Sequence, residues 1–254
     1  MLASLIDNPW FYAAAIPAVA LSGIAKGAFG GGMGGFAVPL LALTVAPTQA
    51  AAIMLPILML MDALGLYAYW GKWDKRVMRV ILPAGLFGVV LGWLTFRFLA
   101  DYWLRILLGV ISIGFVLYSV LPHTPRLTRP SDAKGRFWAA LAGLTSFIAH
   151  AGGPPLNVYV LPLRLETLPF AATFLVFFAA VNAAKVLPYL ALGLFDATNV
   201  ATSAVLAPAG ALGIWLGIWL RTRLSRAAFF RIIYAAMFAT GCKLLYDGLR
   251  EALA

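Results

Sequence analysis

A single cysteine, Cys242, two histidines and nine acidic residues are spread over 254 positions. One thiol cannot build a disulfide framework, and with two histidines it does not complete a zinc or iron-sulfur site. Nothing in the sequence calls for a cofactor. Charged residues make up only 11% of the chain, too few to clothe a soluble domain of this size. Met1 to Trp10 contains Asp7 and no Lys or Arg. It therefore lacks the basic start of a secretory signal and is expected to be retained.

What is present is apolar. Hydrophobic residues account for 63% of the chain, and the mean hydropathy is +0.93. Residues 50–70, 79–97, 104–121, 168–191, 200–220 and 229–248 are long enough to cross a hydrocarbon core of about 30 Å, which takes about 20 apolar residues. Stretches 33–46, 137–150 and 152–164 are short for a straight span.

Basic residues outnumber acidic ones by 19 to 9, for a net charge of +10. They fall in three short loops instead of on one hydrophilic face. Lys72, Lys75, Arg76 and Arg79 surround the first, Arg126, Arg129, Lys134 and Arg136 the second, and Arg221, Arg223, Arg226 and Arg231 the third. This is the positive-inside pattern, and it argues against nucleic acid as a partner. If the three loops are cytoplasmic, Asp101 and Asp196 face the other side and both termini lie outside the cytoplasm.

Glycine-rich breaks interrupt two of the apolar stretches. Gly30-Gly31-Gly32-Met33-Gly34-Gly35 follows residues 10–29, and Gly152-Gly153-Pro154-Pro155 follows residues 137–150. Glycine and proline disfavour helix interiors, and lipid tolerates a broken helix at membrane depth only where the freed backbone is buried in protein or lines a cavity.

The breaks belong to an internal repeat. Leu21-Ser22-Gly23-Ile24 resembles Leu141-Ala142-Gly143-Leu144, and Gly32 falls opposite Gly152. Further on, Pro83-Ala84-Gly85-x-x-Gly88-x-x-Leu91-Gly92 recurs as Pro208-Ala209-Gly210-x-x-Gly213-x-x-Leu216-Gly217. The loop before Pro83 is basic, whereas its counterpart before Pro208 holds Asp196 and no Lys or Arg. Opposite loop charge orients the copies oppositely across the bilayer. The expected fold is an all-α polytopic membrane protein of two inverted repeats, residues 10–121 and 137–249, joined by a cytoplasmic linker, 122–136. Each repeat is expected to be a broken or re-entrant hairpin of two short or broken helices, followed by three transmembrane helices.

With its two related halves, its Gly30-Gly31-Gly32 run leading to Val38-Pro39-Leu40 and its Gly152-Gly153-Pro154, the chain resembles the TauE/SafE sulfite exporter family, also called the toluenesulfonate uptake permease family. The resemblance implies a transporter of sulfite, thiosulfate, sulfoacetate or another organosulfonate in the bacterial cytoplasmic membrane. Protons and sodium are candidate coupling ions; the sequence leaves direction and oligomeric state open.

An anion site between the repeats would draw on backbone N–H groups at Gly30, Gly31, Gly32, Met33, Gly152, Gly153 and Pro154-flanked helix starts, which can converge on an oxyanion. Ionisable groups within spans are costly and normally face a partner or water, which singles out Lys26, Asp62 and Lys185. Asp62 falls opposite Asn182, one helical turn from Lys185. A structural ion pair of Asp62 with Lys185 or Lys26 competes with a role in substrate or proton binding. His150, just before the second break, could donate to an anion or carry a proton, or simply bond at a helix end. Asn157 and Ser146 could supply neutral donors, or bond another helix. Two rival functions remain. A passive anion channel would use the same groups. An intramembrane hydrolase would need more than Ser146 and His150 one turn apart, with no glycine-flanked nucleophile elbow and no second aspartate beside Asp62.

Overall fold

The structure, a computed structural model, describes residues 5–31, 35–96, 98–121, 131–220 and 226–253, with backbone alone at 226–230 and 232. Among the described residues its regular structure is all helical, with no strand. The first half runs α1 (Pro9–Phe29), α2 (Ala37–Leu41), α3 (Pro47–Tyr69), α4 (Lys75–Phe96) and α5 (Asp101–Val120). The second runs α6 (Asp132–Ala149), α7 (Gly153–Val160), a 3-10 turn at Leu161–Leu163, α8 (Thr167–Ala191), α9 (Ala197–Leu220) and α10 (Arg226–Ala252).

Helices α1, α3, α4, α5, α8 and α9 are each long and apolar enough to cross a membrane. Most begin several residues before the apolar run that announces them, because caps and not hydropathy set helix ends. Asp74 Oδ1 accepts the backbone N–H groups of Arg76 at 2.8 Å and Val77 at 2.9 Å, starting α4 at Lys75. Asp196 Oδ1 does the same for Asn199 at 2.8 Å, starting α9. Ser131 caps α6, so helix begins inside the stretch read as linker; residues 122–130, including Arg126 and Arg129, lie outside the described residues.

The first hairpin is unequal: α1 has 21 residues, about 31 Å at 1.5 Å per residue, and α2 has five. Gly23 and Gly27 do not end α1 because it lies against α9, where their missing side chains permit close approach. The helix ends where Gly30 turns left-handed, at φ 71°. The second hairpin pairs an 18-residue α6 with an eight-residue α7.

The long hairpin helices pack across the halves, α1 on α9 and α6 on α4, while α3 lies against α8 and α5 against α10. The glycine motif is the contact surface in both crossings. A Cβ at Gly88 of α4 would run into the carbonyl of Ala140, and one at Gly213 of α9 into the carbonyl of Ala20. Only glycine lets the backbones approach this far. A matched hydrogen bond fixes each hairpin: Tyr69 of α3 donates its hydroxyl to Gly27 O at 2.6 Å, and Tyr189 of α8 donates to Phe147 O at 2.8 Å. Outward faces carry large apolar side chains such as Tyr67, Phe87, Leu187 and Trp215, as lipid contact requires.

Candidate functional site

The two breaks meet in the middle of the molecule. Gly35, with φ 126°, lies against Ala151, so that a Cβ there would be 3.0 Å from Ala151 Cα. Beside this contact is a cavity with about 40 Å³ of space open to water-sized groups. One water needs roughly 10–15 Å³ on that measure, so a small polyatomic anion is the scale of occupant the space suits. Its polar wall is Ser22 and Lys26 of α1, Ser146 and His150 at the end of α6, and Asn182 of α8. Gly31, Gly35 and Val38 close the first-break side, and Met54, Leu58 and Phe178 supply apolar contact.

The polar groups form one connected network. Lys26 Nζ lies 2.6 Å from Asp62 Oδ1 and donates to Leu58 O at 3.3 Å. Asn182 Nδ2 donates to Asp62 Oδ2 at 2.7 Å, and Asn182 Oδ1 accepts from Lys185 Nζ at 2.9 Å. Lys185, with no exposed surface, also donates to Ser146 Oγ at 2.8 Å and to His150 Nδ1 at 2.9 Å. The opposite ring nitrogen, Nε2, donates to Ala51 O at 3.0 Å. His150 occupies the left-handed cap of α6, with φ 51°, where the equivalent cap of α1 is Gly30. A non-glycine residue in this region is strained, and here both ring nitrogens are engaged in holding it.

The network resolves the choice of ion pair: Asp62 pairs with Lys26, not with Lys185. Lys185 has all three of its donors on neutral acceptors. Asp62 and Lys185 do not line the cavity; they stand one hydrogen bond behind Lys26, Asn182, Ser146 and His150. Ser146 and His150 both converge on Lys185 rather than on each other, which is not the arrangement of a serine nucleophile with its histidine base.

The remaining sequence candidates divide. Gly31 lines the cavity and Gly30 caps α1. Gly32 and Met33 lie outside the described residues. Gly152, Gly153 and Pro154 build the start of α7, with Gly152 packed on Ala142 O, Ser146 and Phe178. Asn157 is buried within α7. None of these four is part of the described lining. Ser22 is the residue that sequence reading passed over. Its side chain is 6% exposed, and its hydroxyl has no hydrogen-bond partner among the described residues. A polar residue four positions before Lys26 on an apolar helix shares its face, which was the available signal.

Membrane helices that enclose a polar cavity with buried lysines, at the meeting of two helix breaks, define a protein that handles small polar solutes across a bilayer. A family model described as sulfite exporter TauE/SafE matches residues 15–244. The chain belongs to the TauE/SafE sulfite exporter family and is a multi-pass membrane transporter. No curated protein and no solved structure matches it.

Proposed function

We propose that the protein is a secondary transporter of the bacterial cytoplasmic membrane that exports sulfite or a related sulfur-containing anion. The cavity between the breaks is its binding site. The observation that carries this reading is the cavity wall itself: a buried lysine, Lys26, and the Ser22 hydroxyl, which has no partner among the described residues, face the same small space. An oxyanion offers acceptors to both, and a buried polar group left unsatisfied costs about 1–3 kcal/mol. Lys185 acts from behind the wall, orienting Ser146, His150 and Asn182 and adding positive potential.

Transport proceeds by alternating access. The two halves are inverted repeats, each with a broken hairpin whose long helix crosses onto the other half. The glycine-lined crossings of α1 on α9 and α6 on α4 are seams on which such elements can rock. Export is favoured for an anion because an inside-negative potential contributes about 2.3 kcal/mol per charge per 100 mV. Both termini lie outside the cytoplasm; an impermeant amine reagent is expected to reach Lys75 and Lys134 only from the cytoplasmic face, and labelling of these two from opposite faces would contradict that orientation.

The test is flux in proteoliposomes. Purified protein is expected to move sulfite, thiosulfate or sulfoacetate against its own gradient when a proton or sodium gradient is imposed, and Ser22→Ala, which strands no charge, to slow that flux while remaining folded. Flux only down the substrate gradient would instead mark a passive channel, and none with any of the three anions would overturn the substrate class.

A further inference from the structure

We infer that the site is balanced for an anion of a single negative charge, and that a doubly charged anion binds only together with one proton, which Asp62 takes up. This rests on the cavity being the anion site. The inventory of charge around it is short. Lys26 on α1 and Asp62 on α3 neutralise one another at 2.6 Å. Lys185 on α8 and His150 at the end of α6 share one positive charge. His150 Nε2 carries a hydrogen because its partner, Ala51 O, can only accept; Lys185 Nζ commits two hydrogens to Ser146 Oγ and Asn182 Oδ1, and a further proton lies between Nζ and His150 Nδ1. Whichever nitrogen holds that proton, the pair carries one positive charge.

Among the described residues nothing else packed here adds to the sum. Tyr69 on α3 and Tyr189 on α8 donate as neutral phenols to Gly27 O and Phe147 O. Helices α2, α7 and α9 contain no charged residue, and neither does Gly32-Met33-Gly34. The net charge of the site is therefore one positive unit. Unbalanced charge at membrane depth is costly, so one monoanion completes the site.

A dianion would leave one negative charge uncompensated unless Asp62 is discharged. A proton arriving from the aqueous side with the anion forms the O–H bond on the Asp62 carboxyl; no bond of the anion breaks. Lys26 then loses its carboxylate and turns its full charge on the anion beside it. Lys26 and the Lys185–His150 pair now supply two positive charges against two negative ones. The cavity thus handles the two charge classes with the same net transfer, one negative charge per turnover.

Binding to purified protein tests this with two probes of fixed charge, methanesulfonate as the monoanion and thiosulfate as the dianion, titrated in buffers of different ionisation enthalpy to count protons. Methanesulfonate is expected to bind with no proton taken up and with pH-independent affinity. Thiosulfate is expected to take up about one proton, and its affinity to fall about tenfold per unit rise in pH. Asp62→Asn is expected to bind thiosulfate without proton uptake and methanesulfonate more weakly. Because Asp62→Asn can fail to fold, Lys26→Met with Asp62→Asn is the second variant. It restores a single positive charge without the proton site, so thiosulfate binding is expected to be lost over the whole pH range. Thiosulfate binding to the unmodified protein without proton uptake, or with uptake that persists in Asp62→Asn, would overturn the inference. Binding of neither anion would overturn the transport reading itself, a separate and distinguishable result.

Discussion

The two halves of the protein agree in scaffold and differ in charge. Tyr69 to Gly27 O and Tyr189 to Phe147 O are the same hydrogen bond, each donor and acceptor 120 positions after its counterpart. Gly88 against Ala140 and Gly213 against Ala20 are the same close approach. At the cavity the correspondence fails. Lys26, Gly30, Asp62 and Gly65 in the first half stand where Ser146, His150, Asn182 and Lys185 stand in the second. The first half thus contributes a self-neutralising pair and the second an uncompensated cation held by neutral acceptors. Duplicating a hairpin duplicates its packing rules, whereas two identical charged sets facing one centre would repel or cancel. Chemical divergence of the halves is what gives the cavity a defined sign.

The largest test of this contrast is at the buried carboxylate. Asp62→Leu strands Lys26 and is expected to cost about 3–5 kcal/mol of stability. Its counterpart Asn182→Leu breaks only hydrogen bonds and is expected to cost about 1–3 kcal/mol. Thermal unfolding in detergent reads both, and adding Lys26→Met to Asp62→Leu is expected to recover most of the loss. Equal costs at the two positions would erase the distinction between a charged and a neutral half.

Next come the seams, where the halves are expected to match. Gly88→Val and Gly213→Val each force apart two backbones and are expected to destabilise by about 1–3 kcal/mol, equally within error. A harmless change at one of them would mean that only one crossing is tight. The smallest effect belongs to the tyrosines: Tyr69→Phe and Tyr189→Phe are each expected to cost about 0.6 kcal/mol, typical of a hydrogen bond between membrane helices. A loss several times greater at Tyr189 alone would tie that bond to the neighbouring His150 cap and break the equivalence.

Much of this was legible in the sequence. The apolar runs placed the helices, and the two glycine breaks and the repeated Pro-Ala-Gly motif marked the parts that come together. Lys26, Asp62, Asn182, His150 and Lys185 stood out because ionisable and amide groups inside spans need partners. Which partners they take was not legible. The choice of Lys26 over Lys185 for Asp62 depends on how closely α1 approaches α3, a distance set by packing. Ser22 was hidden because its counterpart is Ala142, so the repeat gave it no emphasis. The extent of α1 was legible as the apolar stretch 10–29 before the first break, but the role of Gly23 and Gly27 as contact points with α9 was not.

The central claim, that one cavity between the breaks opens to each side in turn and holds the anion, can be tested on Ser22. Cys242 is exposed and is the chain's single cysteine, so Cys242→Ser gives a background free of thiols. Ser22→Cys in that background places one thiol in the cavity wall. The account predicts that a membrane-impermeant thiol reagent modifies it in both right-side-out and inside-out vesicles, and that sulfite slows the reaction from either side. Modification from one side only, at a rate indifferent to sulfite, would contradict it.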